Sequence, residues 1–340
     1  MTRPSDKGFY MPPEWAPHKR TWMEWPCREG LWEDGLDAAR EAYAEVARAI
    51  ARFEPVTMIA NPENVAEVSL HCGSGSGVGT HPLEHDDSWM RDNGPTFVVD
   101  GKGTIGGVDW QFNGWGGKFP PYDKDARVAA AVLEHLGFER FEAPLVMEGG
   151  SFHVDGEGTL ITTEQCLLNQ NRNPQITREQ IEENLRAFLG VETIIWLGEG
   201  LEEDHTDGHV DNLCCFAEPG KVLLHACHDE KDYNNKVYLD AKARLESARD
   251  AQGRELEIIE LEQPKRRKGA DGLRLGLSYI NFYLPTGGLV MPAFSDPKDE
   301  PAFETLKEVF PDRDVVQVEV SDVLIGGGGI HCITQQEPAV

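Results

Sequence analysis

Hydrophobic and polar positions repeat the order strand, strand, helix, strand through most of the chain. Residues 151–163 (SFHVDGEGTLITT) alternate around an acidic glycine turn, which predicts two adjacent strands. A helix follows at 177–190 (TREQIEENLRAFLG), with Thr177 as N-cap, Gln180 completing a capping box and Gly190 as the stop. The β-branched run at 192–197 supplies a third strand.

The same order returns from His209: HVDNLCCFA, a Pro219-Gly220 turn, VLLHA, a helix over 232–248 and LEIIEL at 256–261. It returns again as SYINFYL at 278–284, a Thr-Gly-Gly turn, GLVMPAF, a helix over 298–310 and VVQVEV at 315–320. A period of about 60–70 residues marks a repeat architecture. A weaker copy spans PTFVVDGKGTIGGVDWQF, a helix over 124–136 and the run at 138–141. The last is split, with TWMEW, a helix over 35–53 and VTMIA near the start and HCITQQ near the end. A terminal strand that completes the first module would close the ring and leave no exposed edge. The expected fold is therefore α/β: one domain over residues 1–340, a five-bladed pseudo-symmetric propeller of ββαβ modules with the first closed by the C-terminal strand. Two doubly wound domains joined near 263–272 would need long parallel βαβ runs, which are missing. The basic stretch QPKRRKGADG there reads as a charged loop.

Charge narrows the function classes. The 340 residues carry 32 Lys+Arg against 59 Asp+Glu, a formal charge of −27. Such a surface repels nucleic-acid phosphates and anionic membranes, so neither is an expected partner. The seven cysteines form no C-x-x-C pair, which argues against a disulfide framework or a zinc ribbon and fits a reducing, cytoplasmic setting. No stretch reaches the roughly 18 apolar residues of a membrane span, and the N-terminal segment lacks the apolar core of a signal peptide.

Four polar, glycine-rich segments stand where modules begin: DDSWMRDNGP, MEGGSFHVDGEG, DHTDGHVDN and IGGGGIHCITQQ. Around an axis they would converge on one site holding Asp92, Glu148, His209, Asp211 and Cys332. A lone cysteine in a strand is ordinarily a small hydrophobe. Cys332, after four glycines and beside His331, is placed instead as a nucleophile whose thiolate a cationic substrate would favour. His209 and Asp211, two apart on a strand, would share a face as an acid/base and a carboxylate; either that or an ordinary hydrogen-bonded pair fits the spacing. His205, His209 and Asp211 also offer a metal triad, although a loop-then-strand context loses the helical spacing that would align the histidines. Three carboxylates in one pocket call for a planar cation, and a guanidinium, with five donors in a fixed fork, matches them. Trp89 and Trp115 are candidate aromatic walls for it.

The motifs TWMEWP, WMRDNGP, FNGWGG, EGGSFHVDGEGT, GHVDN, SYINFYLPTGG and GGIHCITQQ resemble, in order and through nearly the whole chain, the agmatine deiminases of the bacterial peptidylarginine-deiminase-like family. The resemblance implies a five-bladed propeller of the guanidine-modifying (pentein) type. It implies Cys332 as nucleophile, His209 as general acid/base, Glu148 as the residue orienting His209, and Asp92 and Asp211 as guanidinium clamps, with no metal and no organic cofactor. The reaction implied is agmatine plus water to N-carbamoylputrescine plus ammonia through a covalent amidino-thioether, a step of polyamine and putrescine metabolism. Deimination of another guanidine, amidino transfer, metal-dependent hydrolysis and non-catalytic guanidine binding are the alternatives. Such proteins are often dimers or larger, which leaves a homo-oligomer open, but no coiled-coil pattern is visible. The chain departs from the family pattern where D-T-N-G-H reads His205-Thr206-Asp207-Gly208-His209, where GGNIHC has Gly329 in place of Asn, and at Glu24 and Cys27. With His205 in place of an acid, the expected substrate tail is one bearing a carboxylate or no charge.

Overall fold

The computed structural model describes residues 2–32, 35–270 and 272–340. The third module shows how its sequence builds a blade. Strands Phe152–Val154 and Thr159–Thr163 pair antiparallel, and Thr193–Leu197 returns parallel to the second. Between them runs the helix Arg178–Leu189, opened by the Thr177/Gln180 capping box and stopped by Gly190 at φ 70°. Its buried Ile181, Leu185 and Phe188 join Trp110 and Phe152 in one apolar cluster, so the helix locks its own sheet to the preceding one. Each of those side chains adds about 1.5–3 kcal/mol on burial.

The other modules follow suit. Thr96–Val99, Ile105–Gln111 and Glu139–Val146 form one sheet, and Cys214–Glu218, Lys221–Ala226 and Glu257–Glu262 another. Near the C-terminus Gln335–Pro338 pairs antiparallel with His18–Glu24, which itself pairs parallel with Val56–Ala60. The chain's two ends thus share one sheet.

Three local expectations fail. Residues 278–284 form no strand, only a bridge from Tyr283 to Val290, and this module keeps a two-stranded sheet of Gly288–Ala293 and Asp314–Glu319. The reason lies in the polar side chains: Ser278 donates to Asn212 O, and Asn281 donates to Asp211 O and Cys332 Sγ, so the segment walls the site rather than a ladder. His209 and Asp211 do not lie on a strand either. His209 precedes the 3-10 turn Val210–Asn212, and the strand starts at Cys214. The first sheet gains an unpredicted strand, Val78–Pro82, after the helix Val65–Cys72. Its half-exposed VGTHP has no apolar alternation to reveal it.

The stretch 263–272, apart from Asp271, which lies outside the described residues, has neither helix nor strand beyond a bridge of Lys268 to Arg274. Among the described residues no helix is long and apolar enough to cross a membrane.

Candidate active site

The four polar segments do meet, and backbone bonds fasten them. Arg91 N donates to Cys332 O at 3.2 Å, and Gly150 N donates to Asp92 Oδ1 at 3.0 Å. Gly150 is obligatory at this junction. A Cβ there would lie 2.7 Å from His209 Nδ1 and 2.9 Å from both Asp211 Oδ2 and Asp92 Oδ1.

Cys332 is 4% exposed. Its thiol lies 3.5 Å from Asp211 Oδ2 and receives Asn281 Nδ2 at 3.3 Å. Burial, then Asp211 and Asp92, push the thiol well above its usual range, against the Gly329 N–H and Asn281. In the free protein the sulfur therefore carries its proton. Of the four glycines before it, only Gly327 takes a positive φ, 103°. Gly329, where the family pattern has Asn, is held by contact: a Cβ would come within 2.4 Å of Asn281 Oδ1.

The two clamp candidates are held in different ways. Asp92 accepts Trp115 Nε1 at 2.9 Å, and burial raises it to about 6 against the pull of His209, with Asp211 and Glu148 adding repulsion. Asp211 accepts His331 Nδ1 at 2.9 Å. Burial would raise its carboxyl, but the bond to His331 and that ring's charge hold it below the usual range.

His209 is fully buried between carboxylates, with Nδ1 3.8 Å from Asp92 Oδ1 and Nε2 3.6 Å from Glu148 Oε2. Burial would favour the neutral ring, but Asp92, the Cys166 thiol and Glu148 raise it well above 6.5, so it is an imidazolium at neutral pH. Glu148 is not part of a three-carboxylate cradle for substrate. A guanidinium does match it, but one from within the chain: Arg172 Nε donates to Glu148 Oε1 at 2.7 Å, both side chains being fully buried. Arg172 also reaches Asp207 at 3.0 Å and Thr206 O at 2.9 Å. Burial would raise Glu148, but His209 and Arg172 lower it.

A narrow cavity of about 30 Å³ leads to the sulfur. Trp89, Trp115, Asp92, His205, Phe119 and Asp87 line it, so the predicted aromatic walls and His205 are all on its surface. Trp89 stacks on Trp32 with ring centres 5.9 Å apart, and Trp115 meets Phe112 and Phe119 edge to face. Asp87 is a carboxyl group that the departure at 205 leaves in place. It pairs with Arg28 at 2.7 Å, and burial raises it to about 7 against that pairing, with Asp125 adding repulsion.

His205, His209 and Asp211 do not converge as a metal triad. Among the described residues the groups whose ligand atoms lie within 4.8 Å of one another are Glu14/His153/His331 and Glu148/Cys166/His209. In the second, Arg172 already occupies one Glu148 oxygen.

Glu14, Arg172, Asn281 and Asp87 were not singled out in the sequence, although Asp87 lies in DDSWMRDNGP and Asn281 in SYINFYLPTGG. Only MPPEWAPH and NQNRNP hinted at the first two, as polar residues amid turn formers.

The family of Porphyromonas-type peptidyl-arginine deiminases matches residues 10–338. The chain is 48% identical to an agmatine deiminase of Stutzerimonas stutzeri (strain A1501), with 99% of this chain and 97% of that protein covered. It superposes on the agmatine deiminase of Enterococcus faecalis with a TM-score of 0.96 at 37% identity, covering 100% of this chain and 98% of that one. A Cys-to-Ser variant of the C. jejuni agmatine deiminase with substrate bound matches with a TM-score of 0.89 at 27% identity, covering 97% and 96%.

Proposed function

Because the chain belongs to the Porphyromonas-type peptidyl-arginine deiminase family, we infer that it is an agmatine deiminase, a hydrolase of linear amidines that converts agmatine and water to N-carbamoylputrescine and ammonia. The observation that carries this reading is a buried thiol facing two carboxylates, beside a histidine whose ring nitrogens both face carboxylates.

Asp92 and Asp211 hold the guanidinium flat, with Trp89 and Trp115 as walls. Its positive charge offsets the two carboxylates that keep Cys332 protonated, so the thiol gives up its proton to solvent as substrate binds. Sulfur attacks the central guanidinium carbon. The His209 imidazolium, oriented by Glu148, gives its proton to the departing nitrogen, and ammonia leaves an amidino-thioether. Neutral His209 then takes a proton from water attacking the same carbon. Collapse expels Cys332, whose sulfur takes up the remaining hydroxyl proton to regenerate the thiol, and yields the ureido product. Arg172 keeps Glu148 ionised so that His209 stays charged until it donates.

The distal ammonium of agmatine meets the wall at Asp87, whose ionised form it favours, and His205 lines the same narrow cavity. Agmatine is thus accommodated despite the departure at 205, and a carboxylate tail would face Asp87 instead. All five sheets act as one guanidine-modifying unit around this site, and the seven unpaired cysteines suit a reducing, cytoplasmic compartment.

The test is incubation with agmatine and no added amine, followed by ammonia and N-carbamoylputrescine. Release of both is expected, with turnover abolished and agmatine binding kept in Cys332→Ala. Amidino transfer to an amine without ammonia would refute hydrolysis.

A further inference from the structure

Asp211 is supported by a second buried pair that the reaction does not itself use. His331 is 4% exposed and bridges two carboxylates: Nδ1 faces Asp211 Oδ2 at 2.9 Å and Nε2 faces Glu14 Oε2 at 2.9 Å. Glu14 comes from the N-terminal segment and is itself fastened, its Oε1 accepting Leu284 N at 3.0 Å. The backbone of His331 is tied as well, its N–H donating to Asn281 Oδ1 at 2.9 Å. The ring is therefore fixed at both nitrogens and at its own backbone.

The consequence for Asp211 is an asymmetric carboxylate. Oδ2 is taken by His331 and the Cys332 thiol, whereas Oδ1 is buried and has no hydrogen-bond partner. An unpaired buried carboxylate oxygen is costly unless a ligand completes it. We propose that Glu14 and His331 are positioning residues of the deiminase site: the Glu14–His331 pair binds one oxygen of Asp211 and so turns the other, Oδ1, to the substrate guanidinium. Arg91 is the other nearby charge, its Nε donating to His331 O at 3.3 Å. Burial and Arg91 favour a neutral His331, but Glu14 and Asp211 outweigh them and raise it. Burial would likewise raise Glu14, and His331 holds it well below the usual range. The chain Asp211, His331, Glu14 thus alternates in charge. His153 approaches the same Glu14 Oε2 at 3.6 Å, and burial pushes its ring below the usual imidazole range.

The proposal rests on the deiminase reading for its substrate, and its test separates the two. Asparagine places its side-chain nitrogen where His331 has Nδ1, and glutamine places its own where His331 has Nε2. His331→Asn therefore keeps the bond to Asp211 and loses Glu14, while His331→Gln does the reverse. Agmatine affinity is measured calorimetrically in a Cys332→Ala background, and ammonia release is measured with Cys332 intact. His331→Asn, which keeps the bond to Asp211 and loses only the Glu14 support, should bind agmatine about threefold more weakly than its parent, the size of one ordinary hydrogen bond. His331→Gln should bind about 10- to 100-fold more weakly, as expected for losing a hydrogen bond to a charged group; with Cys332 present the loss should appear in KM more than in kcat. Should His331→Gln fail to fold, Glu14→Gln decides, since its weakening of agmatine binding should vanish in an Asp211→Asn background. Equal losses in His331→Asn and His331→Gln, unchanged affinity in both, or a Glu14→Gln effect that persists without the Asp211 carboxylate would overturn the proposal. Absence of ammonia from a protein that still binds agmatine would instead refute the deiminase reading.

Discussion

The Cys332 thiol lies 3.5 Å from Asp211 Oδ2, a carboxylate that His331 keeps ionised. An anion this close makes the thiolate unfavourable until a cation arrives. Asp211→Asn should therefore lower the thiol's pKa and speed iodoacetamide alkylation of Cys332 at pH 8 by about tenfold or more, since a neighbouring charge shifts a pKa by roughly 1–3 units. Turnover of agmatine should be lost in the same variant. Alkylation followed by mass spectrometry of the Cys332 peptide measures the first effect, and an unchanged or slower rate would show that Asp211 does not hold the proton on sulfur.

Asp92 has the opposite bias, raised to about 6 by burial against the pull of His209. It must be ionised to hold a guanidinium, so kcat/KM should fall as pH drops through about 6, approaching tenfold per unit below it. Asp211 lies below the usual range and adds nothing to that limb, His209 is raised and cannot produce it, and Asp87, raised to about 7, faces only the tail, so an alkylguanidine without the distal ammonium should keep the limb near 6. A kcat/KM profile for agmatine that stays flat from pH 7.5 to 5 would count against Asp92 as a clamp.

Arg172 and Glu148 form a fully buried pair at 2.7 Å. Removing one partner strands the other, so Arg172→Gln should cost about 3–5 kcal/mol in stability unless Glu148 takes up a proton. Either outcome spoils the partner of His209, and kcat should fall by up to about 100-fold, the low end of a general acid/base contribution. The double variant Arg172→Gln/Glu148→Gln should recover much of the stability and none of the activity. Chemical denaturation beside kinetics would reveal the coupling, and additive stability losses would mean that the pair does not act as a unit.

Arg172 also marks where reading from sequence stops. Capping, turn chemistry and alternation are local, so the helix Arg178–Leu189 and the hairpins were legible from neighbouring residues. The convergence of Asp92, Glu148, His209, Asp211 and Cys332 was legible because they sit in glycine-rich segments at equivalent module ends. Their supports are not marked in this way. Arg172 lies 24 positions from Glu148, and Glu14 lies 317 from His331; each looks like surface charge until the fold encloses it. The same blindness explains residues 278–284, whose alternation reads as a strand although Asn281 is spent on the sulfur and on the His331 backbone. It also explains the guanidinium argument, which was sound for three carboxylates but assigned to substrate a charge that Arg172 supplies for one of them.

With Glu148 paired to Arg172, Asp92 and Asp211 remain as the proposed carboxylates for the guanidinium, and the 59 acidic residues together set a summed field. That field, at a net charge of −27, should steer a cation to the cavity when encounter limits the rate. Screening shortens its reach from about 30 Å at 0.01 M salt to about 10 Å at 0.1 M, so kcat/KM for agmatine should fall as salt rises over this range. Agmatine carries two positive charges, and an alkylguanidine of similar length carries one. The slope of log kcat/KM against the square root of ionic strength should then be about twice as steep for agmatine. Measuring both substrates separates steering from a local effect of salt on the site, because the guanidinium end is common to both. Equal slopes would place the salt effect at the Asp92–Asp211 clamp and leave the acidic surface without a kinetic role.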